Sequence, residues 1–291
     1  MFTCDAHVHF FAEAAAQSPQ AWGDALREPH WTRLVTDGPQ GWCSESELLR
    51  QMDADGVDHA VLVGWYWQQA TTAEAENRRI AELVRRHPDR LSAWAALSPA
   101  PGASFLPAAE QALELGFCGF GELLPQVQGF SLSEPRWQEF ADWAAERGLP
   151  VMFHVTEPVG HNYPGRVETP LMDYVAAIEA QPKLKWVLAH WGGGLPFFGL
   201  NPRIRKALQN VWIDTAASPL LYNADIWNQI PAIFPVERIL LGSDYPLKLY
   251  PRRKDQPSFS GILNELEQSG LTAVEKAAIR GTNAWHLIGR D

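Results

Sequence analysis

Two histidines near the start of the chain, His7 and His9 in the segment DAHVHF, are the residues best suited to chemistry. Side chains alternate along a β-strand, so Asp5, His7 and His9 share one face if this segment is a strand. Two imidazoles held side by side form half of a metal site. On the same face, Asp5 is placed to hydrogen-bond a ligand from behind.

Four further side chains of metal-binding type stand at the ends of later apolar segments. They are Glu122, His154, His190 and Asp244. Imidazoles and carboxylates suit zinc, and with more oxygen ligands manganese. The six residues together predict a divalent metal site holding one or two ions, with zinc favoured and manganese as the alternative.

The chemistry expected of such a site is the activation of water or of a substrate carbonyl. A bound cation with an open position lowers the pKa of its water towards about 7, which makes hydroxide available at neutral pH. Asp244 is the candidate catalytic base, because a carboxylate can bind the metal and also accept the proton of that water. His190 is the candidate acid or base at the reacting centre, because histidine titrates near neutrality.

Eight apolar, β-rich segments must position these residues. Continuous apolar runs of this length are typical of parallel strands that are covered on both faces. The first spans 2–10. The others are HAVLVGW (59–65), LSAWAAL (91–97), GFCGFGEL (116–123), PVMFHVTE (150–157), KWVLAHWGG (185–193), VWIDTAAS (211–218) and ILLGSDYP (239–246).

Helical patterns separate the strands. Ser44 and Glu47 form a capping box for a helix that ends at Gly56. Strands alternating with helices predict a single-domain α/β fold over 1–291, a closed (β/α)8 TIM barrel with the metal site at the C-terminal ends of the strands. An open doubly wound sheet is the alternative, but no glycine-rich phosphate loop follows the first strand. The other predicted helices are 74–86, 133–148, 171–179, 202–209, 224–230 and 272–280.

Composition excludes several classes of function. Hydrophobic residues make up 46% of the 291 residues, enough for a large core, and the net charge is −10. An acidic balance disfavours nucleic acid as a partner, because binding it requires lysine and arginine at the phosphates. No apolar run approaches membrane-spanning length, and no signal peptide opens the chain. Cys4, Cys43 and Cys118 are read as reduced thiols of a cytoplasmic protein. The 13 tryptophans suit core packing and leave a homodimer open.

The motifs resemble those of the amidohydrolase superfamily, specifically the amidohydrolase-related family of metal-dependent TIM-barrel hydrolases and decarboxylases. The resembling segments, in the family's order, are DAHVHF, GFGEL, FHV, LAHWGG, IDTAAS, LGSDYP and GTNAWHLIG. They extend over essentially the whole chain and are specific for the superfamily, without identifying a substrate.

The resemblance implies roles for the individual residues. It implies that His7, His9, His154 and Asp244 are single-metal ligands, and that His190 is either an acid/base group or a ligand of a second metal. It also implies that Glu122 corresponds to the strand 4 carboxylate that bridges two metals in TatD-type hydrolases. No lysine lies on strand 4, so the variant with a carbamylated lysine is not expected.

Residues outside this set are candidates for binding the substrate. The loop after strand 5 and the position after His190 supply His161, Tyr163, Arg166 and Trp191. The long segment 12–43 reads as an irregular lid or substrate wall anchored by tryptophans. His30 is assigned no chemistry. One arginine could bind a substrate carboxylate; the candidates are Arg27, Arg33, Arg203, Arg252 and Arg253.

The sequence therefore predicts a metal-dependent hydrolase that acts on an ester, lactone or amide bond of a small, carboxylated molecule. The first alternative is a metal-dependent non-oxidative decarboxylase of an aromatic or muconate-type acid. Glu122 favours hydrolysis, since a bridging carboxylate implies two metals. Weaker alternatives are a TatD-type nuclease and a non-catalytic barrel that binds a metabolite.

Overall fold

The computed structural model describes residues 1–36, 38–249 and 256–290. Arg252 and Arg253, two of the candidate substrate arginines, lie outside the described residues. Within the described part of the chain the structure contains eight strands, and every paired neighbour is parallel. They are β1 (Cys4–Val8), β2 (His59–Val63), β3 (Leu91–Trp94), β4 (Phe120–Leu123), β5 (Pro150–Phe153), β6 (Lys185–Leu188), β7 (Val211–Asp214) and β8 (Ile239–Leu240).

The eight strands close into a barrel. Strands β1 to β3 form one sheet and β4 to β8 a second. At one seam, Ala95 bridges Phe120 in parallel fashion; at the other, Val8 bridges Tyr245. The Ala6 N–H also donates to the carbonyl of Leu241 across the second seam, at 2.7 Å. The predicted TIM barrel is therefore confirmed.

Helices surround the strands. The α-helices are Glu13–Gln17, Pro19–Leu26, Pro29–Thr36, Glu45–Asp55, Ala70–Arg86, Leu106–Glu114, Pro125–Gln128, Pro135–Glu146, Leu171–Ala180, Pro202–Ala207, Ser218–Leu221, Ile226–Gln229, Ser260–Gln268, Ala273–Ala277 and Asn283–Leu287. Shorter helical turns are Ala189–Gly192, the 3-10 turns Leu195–Phe198, Leu208–Asn210 and Val236–Arg238, and the π-type turn Ala278–Thr282.

Local sequence explains where the helix Glu45–Asp55 begins and why β2 is buried on both faces. The Ser44 side chain accepts a hydrogen bond from the Glu47 backbone N–H, and the Glu47 carboxylate accepts one from the Ser44 backbone N–H, which completes the expected capping box. Alternate residues of β2 enter two hydrophobic clusters, Val61 and Val63 in one, Ala60 and Leu62 in the other. Both faces of this strand are therefore buried, as its continuous apolar sequence predicts.

The segment 12–43 is not the irregular loop that its sequence suggested. It contains three helices, 13–17, 19–26 and 29–36, which are too short for a clear helical period. Trp31 packs with Trp65 and Trp67 in one aromatic cluster. The buried carboxylate of Glu28 accepts from the backbone N–H groups that precede the helix Ala70–Arg86. The segment is thereby fixed against the C-terminal end of β2.

None of the helices within the described ranges is both long enough and apolar enough to span a membrane.

Candidate metal centre

His7 and His9, at the C-terminal end of β1, point their Nε2 atoms at one another, 3.1 Å apart. The Nδ1 atom of His9 lies 3.1 Å from the carbonyl of Val63, which can only accept, so Nδ1 carries the proton. The Nδ1 atom of His7 lies 2.7 Å from a carboxylate oxygen of Asp214 and donates to it. Both Nε2 lone pairs therefore face the same point, and two lone pairs so placed require a cation or a proton between them.

Glu122, on β4, places one oxygen towards each of two histidine pairs. Its Oε2 atom lies 3.7 Å from His9 Nε2 and 3.9 Å from His7 Nε2. Its Oε1 atom lies 3.2 Å from His154 Nδ1 and 3.4 Å from His190 Nε2. The ligand-type atoms of each group lie within 4.8 Å of one another. One buried carboxylate is therefore shared by two potential metal-binding groups.

His154 follows β5 and His190 follows β6. His190 Nε2 lies 3.0 Å from His154 Nδ1, while His190 Nδ1 lies 3.2 Å from the carbonyl of Ala216. The backbone at His190 is left-handed, with φ of 60°, and the run continues through Gly194. A non-glycine residue in this conformation is strained, and the surrounding structure must hold it there. Here the turn places the His190 imidazole next to His154 and Glu122.

Asp244 lies beside the first histidine pair. Its Oδ1 atom is 3.5 Å from His9 Nε2 and 3.9 Å from His7 Nε2. Its backbone is also left-handed, with φ of 61°, and its N–H donates to the carbonyl of His7 at 3.0 Å. The structure thus brings together all six side chains that the sequence singled out as ligands; their individual roles remain a prediction.

Two buried aspartates support these ligands from behind. Asp214, at the end of β7, accepts from His7 through one oxygen and from the backbone N–H groups of His190 and Ala216 through the other, at 2.8 and 3.0 Å. Asp5 accepts from the backbone N–H groups of His7 and Ser243. Each carboxylate ties a ligand segment of one strand to that of another.

Burial and neighbouring charges shift the pKa values of the clustered residues in different directions. Burial lowers the pKa of His7, but the carboxylates of Asp214 and Glu122 outweigh burial and raise that pKa to about 10. Burial and the charge of His7 lower the pKa of His9 to about 4. Burial opposes charge on His190, yet its hydrogen bond and charge interaction with Glu122 raise the pKa to about 9. Burial would raise the pKa of Glu122, but the charges of His154 and His7 hold it well below its usual range.

A divalent cation fits this donor set. Four imidazoles and two carboxylates converge, and the outward-facing nitrogens of His7, His9 and His190 are held by backbone or carboxylate oxygens, as in metal sites whose ligands are oriented by a second layer of hydrogen bonds. Zinc and manganese both accept such nitrogen and oxygen donors.

Three of the predicted substrate-binding residues lie in the loop after β5, and the fourth, Trp191, lies in the core. His161 and Tyr163 are exposed in the loop after β5, and the Arg166 guanidinium donates to the carbonyls of Glu157 and Pro158. Trp191 is fully buried, and its indole N–H donates to Ser218 at 3.0 Å. The contacts of Trp191 therefore lie in the core beneath the His190 turn.

Two residues at the site were missed by sequence reasoning, His30 and Tyr66. His30 Nε2 lies 2.8 Å from the carbonyl of Gly165, and its ring packs on Tyr66 with centroids 5.6 Å apart. Tyr66 in turn lies 5.3 Å from His154. His30 belongs to a helix of the segment 12–43, so only the folding of that segment over the barrel brings it here. Arg203, by contrast, pairs with Glu179 on the surface.

A barrel with such a cluster at the C-terminal ends of its strands defines a metal-dependent enzyme class. The chain belongs to the amidohydrolase family, whose sequence profile matches residues 4–290. A search of curated proteins gave no match.

Several solved structures share the fold. The 5-carboxyvanillate decarboxylase of Sphingomonas paucimobilis has a TM-score of 0.75 and 16% identity, covering 100% of this chain and 99% of its own. The dihydroxybenzoic acid decarboxylase of a Polaromonas species, with bound manganese and 2-nitroresorcinol, has a TM-score of 0.70 and 16% identity, covering 99% and 96%. The 4-oxalomesaconate hydratase of Rhodopseudomonas palustris has a TM-score of 0.68 and 20% identity, covering 99% and 95%.

Proposed function

We propose that this protein is a metal-dependent decarboxylase that releases carbon dioxide from a small aromatic carboxylic acid. The observation that carries the proposal is an aromatic wall built directly against the ligand cluster. The activities of the similar structures support it, since two of the three described above are decarboxylases of phenolic acids. Decarboxylation is thus preferred here over the hydrolysis that the sequence alone favoured.

The aromatic wall consists of Phe11, Trp65 and Tyr66. The Trp65 ring lies 4.9 Å from His9, and the Phe11 ring stacks 5.9 Å from the same imidazole. Tyr66 stacks on Trp65 at 4.5 Å and continues the wall towards His154. A flat aromatic acid can lay its ring along such a surface while its carboxylate faces the cluster.

The residues of the chain then have defined tasks. His7, His9, Glu122 and Asp244 would hold the divalent cation, which when bound supplies positive charge that orients the carboxylate and an adjacent oxygen of the substrate. His190 delivers a proton to the ring carbon that bears the carboxylate. The bond between that carbon and the carboxylate breaks, its electron pair stays with the ring carbon, and carbon dioxide leaves. One proton is consumed for each carbon dioxide, and no oxidant is needed.

Hydrolysis is the second candidate, and the position of Glu122 favours it. A carboxylate with one oxygen towards each histidine pair is suited to bridge two cations. In this reaction Asp244 accepts the proton of an attacking water while an ester, lactone or amide bond breaks. Two metal equivalents per chain would therefore favour hydrolysis, and one would favour decarboxylation.

The test is to load the protein separately with manganese and with zinc, measure the metal content, and assay carbon dioxide release. The panel includes 2,6-dihydroxybenzoate, 5-carboxyvanillate, and matched esters and lactones. We expect carbon dioxide from at least one phenolic acid, and His190→Ala to reduce turnover by about 100-fold or more. His286→Ala, the same change at an exposed histidine, is the control. Turnover of esters or lactones without carbon dioxide release would replace this proposal with the hydrolase.

A further inference from the structure

Tyr66 has a ring that is fixed on three sides. It follows β2 by three residues, in the sequence Trp65–Tyr66–Trp67, and is 2% exposed. Its ring stacks on Trp65 with an interplanar angle of 29°, and the rings of His154 and His30 lie against other parts of it. The phenol therefore has little freedom to turn, and its hydroxyl is held at one place.

That hydroxyl lies near the ligand cluster and forms no hydrogen bond within the described residues. It is not one of the fully buried side-chain atoms that lack a partner, so it remains open to a bound molecule. The charged groups that act on it include the carboxylates of Glu122 and Asp244. These groups belong to the ligand cluster, and the Tyr66 ring lies 5.3 Å from the ring of His154, so the hydroxyl lies close to that cluster.

Two other buried tyrosines near this end of the barrel have contacts of a different kind. The Tyr174 hydroxyl donates to the carbonyl of His154 and so supports the backbone of a ligand. The Tyr245 ring stacks on Phe259, with centroids 4.3 Å apart. Tyr66 differs from Tyr174, because no hydrogen bond within the described residues engages its hydroxyl.

We infer that Tyr66 contacts the substrate, its hydroxyl donating a hydrogen bond to an anionic oxygen of a hydroxylated aromatic acid. The inference rests on the proposed function for its substrate class. A neutral phenol is an O–H donor and complements an oxygen anion in a short, charge-assisted bond. His7, His9, Glu122 and Asp244 would already supply the cation with donors, so the Tyr66 hydroxyl is free for recognition. Acids that lack an oxygen at this position lose the contact.

The test compares Tyr66→Phe, which keeps the clamped ring, with Tyr222→Phe, the same change in a half-buried tyrosine packed on Phe197. Manganese-loaded proteins are titrated by calorimetry with 2,6-dihydroxybenzoate, 2-nitroresorcinol and benzoate. For Tyr66→Phe we expect about 10- to 100-fold weaker binding of the two phenols, unchanged benzoate affinity and unchanged manganese content. Tyr222→Phe should match the wild type throughout.

The outcomes separate this inference from the proposed function. Equal phenol affinity in Tyr66→Phe and the wild type would overturn the role of Tyr66, as would a loss of manganese or an equal loss of benzoate affinity. If neither phenol binds the wild type, the inference fails as well. If the phenols bind but no carbon dioxide is released from any acid, the decarboxylase proposal fails, while the binding difference still decides the role of Tyr66.

Discussion

Replacing Asp214 by asparagine should change which nitrogen of His7 can bind a metal. The carboxylate accepts the Nδ1 proton of His7 at 2.7 Å and, through its other oxygen, the backbone N–H groups of His190 and Ala216. Asparagine keeps one oxygen for the two backbone groups but turns an NH2 group towards His7. Two donors cannot face each other, so His7 must move its proton to Nε2, the nitrogen that points at the cluster.

The magnitude follows from the loss of this support. Partners that orient metal-bound histidines typically contribute 10- to 100-fold in metal affinity, or about 1.4 to 2.7 kcal/mol. We expect Asp214→Asn to weaken zinc or manganese binding by at least this factor, because the change also misplaces a proton. Competition with a chromophoric chelator measures the dissociation constant directly.

The control for Asp214→Asn is Asp225→Asn, the same substitution at an exposed aspartate that begins a helix after β7. This variant should bind metal as the wild type does. Wild-type affinity in Asp214→Asn itself would refute the argument, since it would mean that Asp214 does not set the tautomer of His7.

Three further outcomes are expected. Adding the preferred cation at about 100 times its dissociation constant should stabilise the fold by about 2.7 kcal/mol, and chelation should therefore lower the Tm by about 4 °C for a chain of this length, as scanning calorimetry would detect. Metal affinity should rise with pH by about tenfold per unit for each proton displaced, because His7, with its raised pKa, is protonated at neutral pH in the metal-free protein and must lose that proton to bind the metal. Calorimetry in buffers of different ionisation enthalpy counts the protons released. An affinity that does not change with pH would contradict the protonation assigned to His7. Gly193→Ala should destabilise the protein by about 1 to 3 kcal/mol more than Gly129→Ala in urea unfolding. Both glycines have a left-handed backbone, but only at Gly193 would a new Cβ meet Val155, at 2.6 Å. Equal losses of stability would show that the turn at Gly193 shifts to accommodate the methyl group.

The sequence predicted the barrel because its signals are local. Continuous apolar segments and capping residues determine each strand and helix separately, and parallel strands then bring their C-terminal ends to one face. The prediction that the six ligand candidates meet there needed only the position of each residue at the end of its strand. The sequence analysis missed helices that lack a capping side chain, among them Leu106–Glu114 and Ser260–Gln268.

The rest depends on contacts between segments distant in the chain. Asp214 hydrogen-bonds His7, which lies 207 positions away in the chain, and the periodicity of the sequence does not show which residue Asp214 contacts. His30 reaches the site only because the helices of segment 12–43 fold back over β2. Trp191 stands next to a ligand in sequence, yet the left-handed turn at His190 sends its side chain into the core. Side-chain direction after a strained turn does not follow from residue order.

The two sheets of the barrel contribute different parts of the cluster. His7 and His9 come from the three-stranded sheet, while Asp244 follows the last strand of the other. During synthesis, the first two ligands leave the ribosome some 235 residues before Asp244, since they stand at positions 7 and 9 against 244. A complete coordination shell therefore cannot exist on a nascent chain until most of it has emerged. Metal binding by these residues is accordingly expected late in the maturation of this polypeptide, where it would connect the first strand to the last.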